Sequence, residues 1–263
     1  MAYLDRADCR LYYETEGRGP ALIFAHGLGG NHLSWWQQVP HFRDRYTCVT
    51  FAHRGFSPSE AGPGAVGPLG FVDDLAALIE HLRLPEVRLV AQSMGGWTCL
   101  GYALREPRKV RGLVLACTVG TVSHPDIDRV LVAPEFTRAQ ADLVARGISP
   151  AAGATMEGEQ PALQFLYQAI GRLRLGLDME ATRKKLWSMR NTPPSALAAL
   201  TMPVLCITGE EDVVIPTPAI ETLVTLLPRG RLARVPKSGH SVYFERADTF
   251  NRLVGEYLKE VDA

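Results

Sequence analysis

The chain has 263 residues, of which 28 are basic and 28 acidic, so its formal net charge at pH 7 is zero. Nucleic acids and anionic membranes both attract proteins with an excess of basic residues, and this balance speaks against either partner. Residues 1–6 carry charge and lack the apolar run of a signal peptide, and no apolar window is long enough to span a membrane. We expect a cytoplasmic protein whose length suits one α/β domain with an insertion.

The sequence predicts strands and helices in alternation along the chain, with one interruption. Alternating apolar and polar residues over 3–16 predict an antiparallel pair of strands at a sheet edge. Continuous apolar runs, typical of strands buried on both faces of a parallel sheet, follow at residues 21–25, 46–51, 87–90, 113–117, 204–208 and 232–235. Residues 71–82 and 250–258 carry apolar side chains at helical spacing. The pattern predicts an α/β fold with a mostly parallel, doubly wound sheet.

The alternation stops between about residues 120 and 200, where strand signals are absent. Helix-forming residues predict helices over 128–146, 162–175 and 180–190, separated by proline and glycine. An insertion of this length is too long for a loop and short for an independent domain. We therefore predict a helical cap formed by residues 120–202, lying over one edge of a core formed by residues 1–119 and 203–263.

A sharp turn from strand to helix is predicted at Ser93. The apolar run that starts at Val87 ends in this serine, and Gly95 and Gly96 open a helix-like stretch directly after it. Small neighbours suit such a turn, because its backbone is strained and its flanking residues lie close together. Ala91 stands where the best-known form of the turn has glycine. Ser93 is therefore a candidate nucleophile, and an ordinary helix N-cap is the alternative.

A serine hydroxyl needs a base within hydrogen-bond reach, and the base needs a third group to hold it. His240 follows the last predicted strand, and three carboxylates, Glu210, Glu211 and Asp212, follow the strand before it. Because the carboxyl ends of parallel strands open on one edge of a sheet, these side chains are expected to converge on Ser93. We favour Asp212, because its shorter side chain at the far end of the loop leaves the imidazole less freedom.

A glycine-rich turn at residues 26–31 also follows a predicted strand. Glycine lets backbone amides approach a ligand closely, so the amides of Leu28 and Met94 can cradle an oxyanion formed by attack of Ser93 on a carbonyl. Phosphate binding is the alternative, but the turn lacks the lysine–serine pair of a P-loop. We expect His26 to brace the loop by hydrogen bonds.

Together, the segments 26–30, 91–96, 209–212 and 239–240 resemble the α/β-hydrolase superfamily. The resemblance extends along nearly the whole chain and implies that Ser93 is the nucleophile, Asp212 the acid and His240 the base. It also implies that Leu28 and Met94 donate to the oxyanion. The chain departs from the family pattern at Ala91, and at Ala52 and Ser57, where aspartate and glycine are commoner.

The loop pattern and the helical cap look most like those of carboxylesterases, enol-lactonases and carbon–carbon bond hydrolases. We expect hydrolysis of a small-molecule ester or lactone through an acyl-serine, with no cofactor and no metal, since no histidine–carboxylate cluster has ligand spacing. Cleavage of a carbon–carbon bond in a diketone-type substrate, or a small-molecule receptor that keeps the triad, are the alternatives. Trp35, Trp36 and Trp97 lie near the site in sequence and suggest an apolar or aromatic substrate, although aromatic residues at such positions more often pack in the core. The sequence does not indicate the oligomeric state.

Overall fold

The computed structural model describes residues 2–62, 64–173 and 176–263, and its strands form one mixed sheet. Among these residues the strands are β1 (Ala2–Asp5), β2 (Cys9–Gly17), β3 (Ala21–Ala25), β4 (Thr47–Phe51), β5 (Glu60–Ala61), β6 (Val87–Gln92), β7 (Val110–Ala116), β8 (Val204–Gly209) and β9 (Gly230–Val235). The α-helices are α1 (Gln38–Phe42), α2 (Phe71–His81), α3 (Gly95–Arg105), α4 (Pro125–Leu131), α5 (Pro134–Ala145), α6 (Ala154–Glu159), α7 (Pro161–Arg172), α8 (Met179–Ser188), α9 (Thr217–Leu226), α10 (Val242–Glu245) and α11 (Ala247–Val261).

The strands follow the order β1-β2-β4-β3-β6-β7-β8-β9, and the short β5 pairs with β2. β2 pairs antiparallel with β1, β4 and β5, whereas all neighbours from β4 to β9 are parallel. The predicted antiparallel edge and parallel centre are therefore confirmed. Because β3 lies between β4 and β6, the direction of winding reverses beside it, and folds of this kind bind ligands at the carboxyl ends of the strands at such a point.

Helices cover both faces of the sheet, as the prediction of a doubly wound fold requires. Successive side chains of a strand point to opposite faces, and on β3 Ile23 packs into one apolar core while Leu22 and Phe24 pack into the other. Helices α2, α3 and α9 contribute to the first core, and α1, α10 and α11 to the second. The two cores hold the parallel strands, and hence their carboxyl ends, in fixed register.

The described residues between β7 and β8 form five α-helices, a 3-10 helix over Pro194–Ala199 and an isolated bridge between Val122 and Thr192. The prediction of one helix over residues 128–146 is wrong, since α4 and α5 are separate. Ala133 has an extended backbone, with φ −65° and ψ 133°, directly before Pro134. Proline disfavours helical geometry in the residue before it, so the chain leaves the helix and starts a new one at Pro134.

The last residues of the helix predicted over 162–175, Arg174 and Leu175, lie outside the described residues. The division into a core of residues 1–119 and 203–263 and a cap of residues 120–202 stays a prediction. Within the segment 120–202, α4 packs directly against α9, which belongs to the predicted core.

No helix in the described part of the chain is long and apolar enough to cross a bilayer.

Candidate active site

Ser93, Asp212 and His240 meet at the carboxyl edge of the sheet. Ser93 directly follows β6, Asp212 lies in the loop after β8, and His240 lies in the loop after β9. We call residues 210–216 the Asp212 loop and residues 236–241 the His240 loop. The parallel pairing of β6 with β7, β7 with β8 and β8 with β9 brings together three residues that are far apart in sequence.

The backbone at Ser93 is strained, with φ at +48°. Its N–H donates to the carbonyl oxygen of Ala116 at the end of β7, which fixes the turn to the neighbouring strand. Gly95 is required sterically, because a Cβ there would collide with the carbonyl of Ala25. Ala91, where glycine is more familiar, is fully buried in the core and leaves the turn intact. A left-handed residue that is not glycine is costly and persists where the surrounding structure holds it.

A continuous chain of hydrogen bonds joins the three side chains. The distance from Ser93 Oγ to His240 Nε2 is 2.8 Å, and that from His240 Nδ1 to Asp212 Oδ2 is 2.9 Å. Because a carboxylate can only accept, Nδ1 carries the proton and Nε2 is free to take the serine's proton. The backbone N–H groups of Val214 and Ile215 donate to Asp212 Oδ1, at 2.8 and 2.9 Å, and hold the carboxylate in place.

The competing carboxylates of the Asp212 loop do not reach the imidazole. Glu210 is exposed. Glu211 instead accepts hydrogen bonds from the hydroxyl and the backbone N–H of Thr155. Geometry alone therefore favours Asp212 as the carboxylate partner of His240.

The loop at residues 26–31 presents an oriented peptide next to the serine. His26 Nδ1 donates to the carbonyl oxygen of Gly27 at 2.8 Å, and the N–H of Gly30 donates to the same oxygen at 3.0 Å. In a planar trans peptide the C=O and the following N–H point in opposite directions. Fixing the Gly27 carbonyl therefore fixes the direction of the Leu28 N–H, one of the two predicted oxyanion donors. The other, the Met94 amide, lies at the start of α3.

Two residues that the sequence did not single out extend this arrangement. His26 Nε2 accepts from both the backbone N–H and Nδ1 of His53, each at 3.0 Å. The hydroxyl of Thr98, on α3, donates to His53 Nε2 at 2.8 Å. Burial lowers the pKa of His26 to about 4 and holds that of His53 well below its usual value, so both rings are neutral near pH 7. We call this chain of Thr98, His53 and His26 the imidazole relay.

A thiol lies close to Asp212 and His240. Cys117 follows β7, is fully buried, and its Sγ lies with ligand atoms of Asp212 and His240 in a group spanning at most 4.8 Å. Burial raises the pKa of this thiol well above its usual value, so it stays protonated. The acceptor atoms of Asp212 and both nitrogens of His240 are already engaged in the chain to Ser93. A metal here would have to displace those bonds, and the expectation of a metal-free site stays a prediction.

Apolar side chains from the predicted core and from the segment 120–202 pack together around Leu28 and Met94, the residues that carry the predicted oxyanion donors. This apolar wall comprises Leu28, Phe56, Met94, Leu177, Leu186 and Met189. Trp97 packs with it, and its indole N–H donates to the carbonyl oxygen of Leu186 at 2.9 Å, which ties α8 to α3. Trp36 is half-exposed, whereas Trp35 is fully buried against Tyr243 in the core and is unavailable to a ligand. Trp35 is therefore a core residue, the alternative that the sequence favours for aromatic residues at such positions.

The family is settled by comparison with known proteins. Residues 20–153 match the family model of the alpha/beta hydrolase fold. The chain belongs to the α/β-hydrolase fold family. The doubly wound sheet, the turn at Ser93 and the chain order serine, aspartate, histidine all agree with this membership.

Individual relatives differ in the activities for which they are named. BpoC of Mycobacterium tuberculosis, named as a proposed non-heme bromoperoxidase, is 28% identical over 273 residues, covering 96% of this chain and 99% of that protein. The 3-oxoadipate enol-lactonase 2 of Acinetobacter baylyi is 34% identical over 125 residues, covering 46% of each chain. The structure of a thermophilic esterase from Thermogutta terrifontis superposes with a TM-score of 0.81 at 21% identity, covering all of both chains. That superposition shows the fold alone.

Proposed function

We propose that this α/β hydrolase cleaves a carboxylic ester or lactone of an apolar small molecule through an acyl-serine intermediate. The observation that carries the proposal is the hydrogen-bonded chain from Ser93 through His240 to Asp212, with links of 2.8 and 2.9 Å. A serine at a strained turn, paired with an oriented imidazole, is suited to acyl transfer.

In the proposed mechanism, His240 Nε2 takes the Ser93 proton as Oγ attacks the substrate carbonyl. Asp212 holds the imidazole in the required tautomer and stabilises the imidazolium that forms. His240 then gives the proton to the leaving oxygen, and an acyl-serine remains. Water, activated by the same nitrogen, attacks the acyl carbon and releases the acid.

The negative oxygen of each tetrahedral intermediate is stabilised by the amides of Leu28 and Met94. The imidazole relay supports this role, because it fixes the peptide that carries the Leu28 N–H. One such donor is typically worth about 3–4 kcal/mol in the transition state.

The substrate class and the cap are proposed from the apolar wall. Among its members, Leu177, Leu186 and Met189 come from the segment 120–202 and pack with the two residues whose amides are the proposed donors. We therefore treat residues 120–202 as a cap that supplies part of the substrate pocket. The wall consists of aliphatic, methionine and aromatic side chains, which favours an apolar acyl or alcohol portion.

Labelling with a fluorophosphonate, followed by mapping of the adduct, tests the nucleophile directly. We expect one adduct, on Ser93, and none in Ser93→Ala; labelling elsewhere would contradict the proposal. A panel of short-chain p-nitrophenyl esters and lactones should then show multiple turnover that chelators leave unchanged. Turnover confined to a diketone-type substrate would indicate a carbon–carbon hydrolase. Binding without turnover would indicate a receptor.

A further inference from the structure

Glu245 is a buried carboxylate that takes no part in the chain from Ser93 to Asp212. Only 1% of its surface is exposed. Its Oε2 accepts from the backbone N–H groups of Gly153 and Gly239, at 3.0 and 2.9 Å, and its Oε1 accepts from that of Ser241 at 3.1 Å. Two of these donors flank His240 in sequence, and the third belongs to the segment between β7 and β8.

A second carboxylate reaches the same segment from the other loop. Glu211, next to Asp212, accepts from the backbone N–H of Thr155 at 3.1 Å and from its hydroxyl. A Cβ placed on Gly153 would lie 2.7 Å from Glu245 Oε2 and 2.8 Å from Glu211 Oε2. The two carboxylates therefore converge on one short stretch of backbone.

A hydroxyl adds a further tie between the His240 loop and this stretch. Ser241 Oγ donates to the carbonyl oxygen of Ala151 at 2.6 Å and lies 2.8 Å from the hydroxyl of Tyr167 on α7. Residues 151–155 are thus attached to the loop of the proposed base and to the loop of the proposed acid at the same time.

From these contacts we propose that Glu211 and Glu245 form a clasp that sets the relative position of the His240 and Asp212 loops through residues 151–155. Glu245 is then a positioning residue for the proposed base, and Glu211 one for the proposed acid. The inference rests on the proposed hydrolase function. It assigns to the cap a part in assembling the catalytic residues, in addition to covering the substrate.

Burying the carboxylate of Glu245 costs free energy, which indicates that the clasp is more than incidental packing. Burial raises the pKa of Glu245 to about 6, although three N–H groups stabilise its charged form. An apolar side chain could fill the volume without that cost but could not hold three backbone donors. The titratable groups around it are Asp212, Glu211, His240, Cys117 and Tyr243.

Matched glutamate-to-glutamine substitutions test the clasp. Glutamine keeps the size of the side chain but turns one acceptor into a donor, which faces a backbone N–H. We expect Glu245→Gln to lower kcat for the best p-nitrophenyl ester by about 10- to 100-fold with KM changed much less, since small misplacements of reacting groups cost that much. Glu211→Gln should have a smaller effect in the same direction. Glu210→Gln, on an exposed neighbour in the same loop, is the control and should match the wild type.

Two readouts separate positioning from a merely structural role. The rate at which a fluorophosphonate labels Ser93 should fall in Glu245→Gln in proportion to kcat. At pH 7, hydrogen exchange at the amides of Gly153, Gly239 and Ser241 should be faster in Glu245→Gln than in the wild type and in Glu210→Gln.

The possible outcomes distinguish the clasp from the proposed function. If wild-type Ser93 is not labelled, the proposed function fails, whereas hydrogen exchange still reports on the clasp. If Ser93 is labelled but Glu245→Gln and Glu211→Gln both match Glu210→Gln, the clasp is overturned. If Glu245→Gln does not fold, Glu211→Gln together with Ser241→Ala decides the question: unchanged labelling in both contradicts the proposal.

Discussion

The two sides of Ser93 are held by networks of opposite chemical character. On the side of the predicted oxyanion donors, the imidazole relay of His26, His53 and Thr98 is neutral and fully buried. On the side of the acid and base, Glu245 and Glu211 hold backbone N–H groups with carboxylates. Neutral imidazoles can both donate and accept and are buried at modest cost, whereas carboxylates only accept and resist burial. Both networks orient backbone groups, but acid protonates histidines in one network and carboxylates in the other.

The largest effect is expected from removing the charge of the acid itself. Asp212→Asn should leave the fold largely intact but lower kcat by about 10⁴-fold, as such a change does in another serine hydrolase, because the wrong imidazole tautomer is favoured. Steady-state kinetics with the best ester substrate measures the loss. Glu210→Gln is the control, and near-normal turnover in Asp212→Asn would show that the carboxylate is assigned wrongly.

Stability should respond to acid with opposite signs on the two sides. The pKa of His26 is lowered to about 4 in the folded protein, so its contribution is complete above about 6.5 and is lost as pH falls towards 4, on the order of 3 kcal/mol. The pKa of Glu245 is raised to about 6, so its contribution is present below about 4.5 and is lost as pH rises through 6, on the order of 2 kcal/mol.

Chemical denaturation between pH 7 and 4.5 can separate these contributions. Because the Glu245 contribution offsets part of the histidine contribution, Glu245→Gln should lose more unfolding free energy on acidification than the wild type does. His41→Gln, at an exposed histidine, should lose as much as the wild type. A Glu245→Gln curve parallel to that of the wild type would show that Glu245 does not titrate in this interval.

A smaller kinetic effect is expected from breaking the imidazole relay. His53→Phe removes the side-chain donor to His26 Nε2 and the acceptor of the Thr98 hydroxyl, while the backbone N–H of residue 53 remains, so the Leu28 N–H loses part of its support. We expect kcat to fall about 10- to 100-fold, less than the loss of an oxyanion donor, which costs about 10²- to 10³-fold. Thr98→Val should have the same direction and a smaller size. An unchanged kcat in both variants would exclude a role for the relay in catalysis.

The smallest effect is expected at the link between α8 and α3. Trp97→Phe removes the indole N–H that donates to Leu186 and should cost about 1 kcal/mol of unfolding free energy. Because Leu186 belongs to the apolar wall, KM for apolar esters should rise a few-fold while kcat changes little. Trp36→Phe, at a half-exposed ring, is the control. An equal change in both variants would argue against a specific link.

The sequence predicted the parts of the site that depend on strand ends. Ser93 and Asp212 each follow a buried apolar strand, and parallel pairing brings the ends of such strands together. His240 follows β9, which was expected to be buried but is a largely half-buried edge strand, because only one neighbour pairs with it. Glu245 and His53 were not predicted, because their partners are backbone amides and a ring nitrogen contributed by distant segments. The break before Pro134 was missed because the prediction rested on the helix-forming residues of the segment and did not consider the proline among them.

The contact between Gly153 and Gly239 has a consequence for protein engineering. A Cβ on Gly239 would lie 2.6 Å from the Cα of Gly153, so backbone meets backbone where the inserted segment touches the His240 loop. A segment grafted from a relative must therefore have glycine at the position of Gly153, and the recipient protein must keep glycine at position 239. Recombination libraries that exchange residues 120–202 as a block should yield active chimeras only when both glycines are kept, whatever the sequence of the rest of the block.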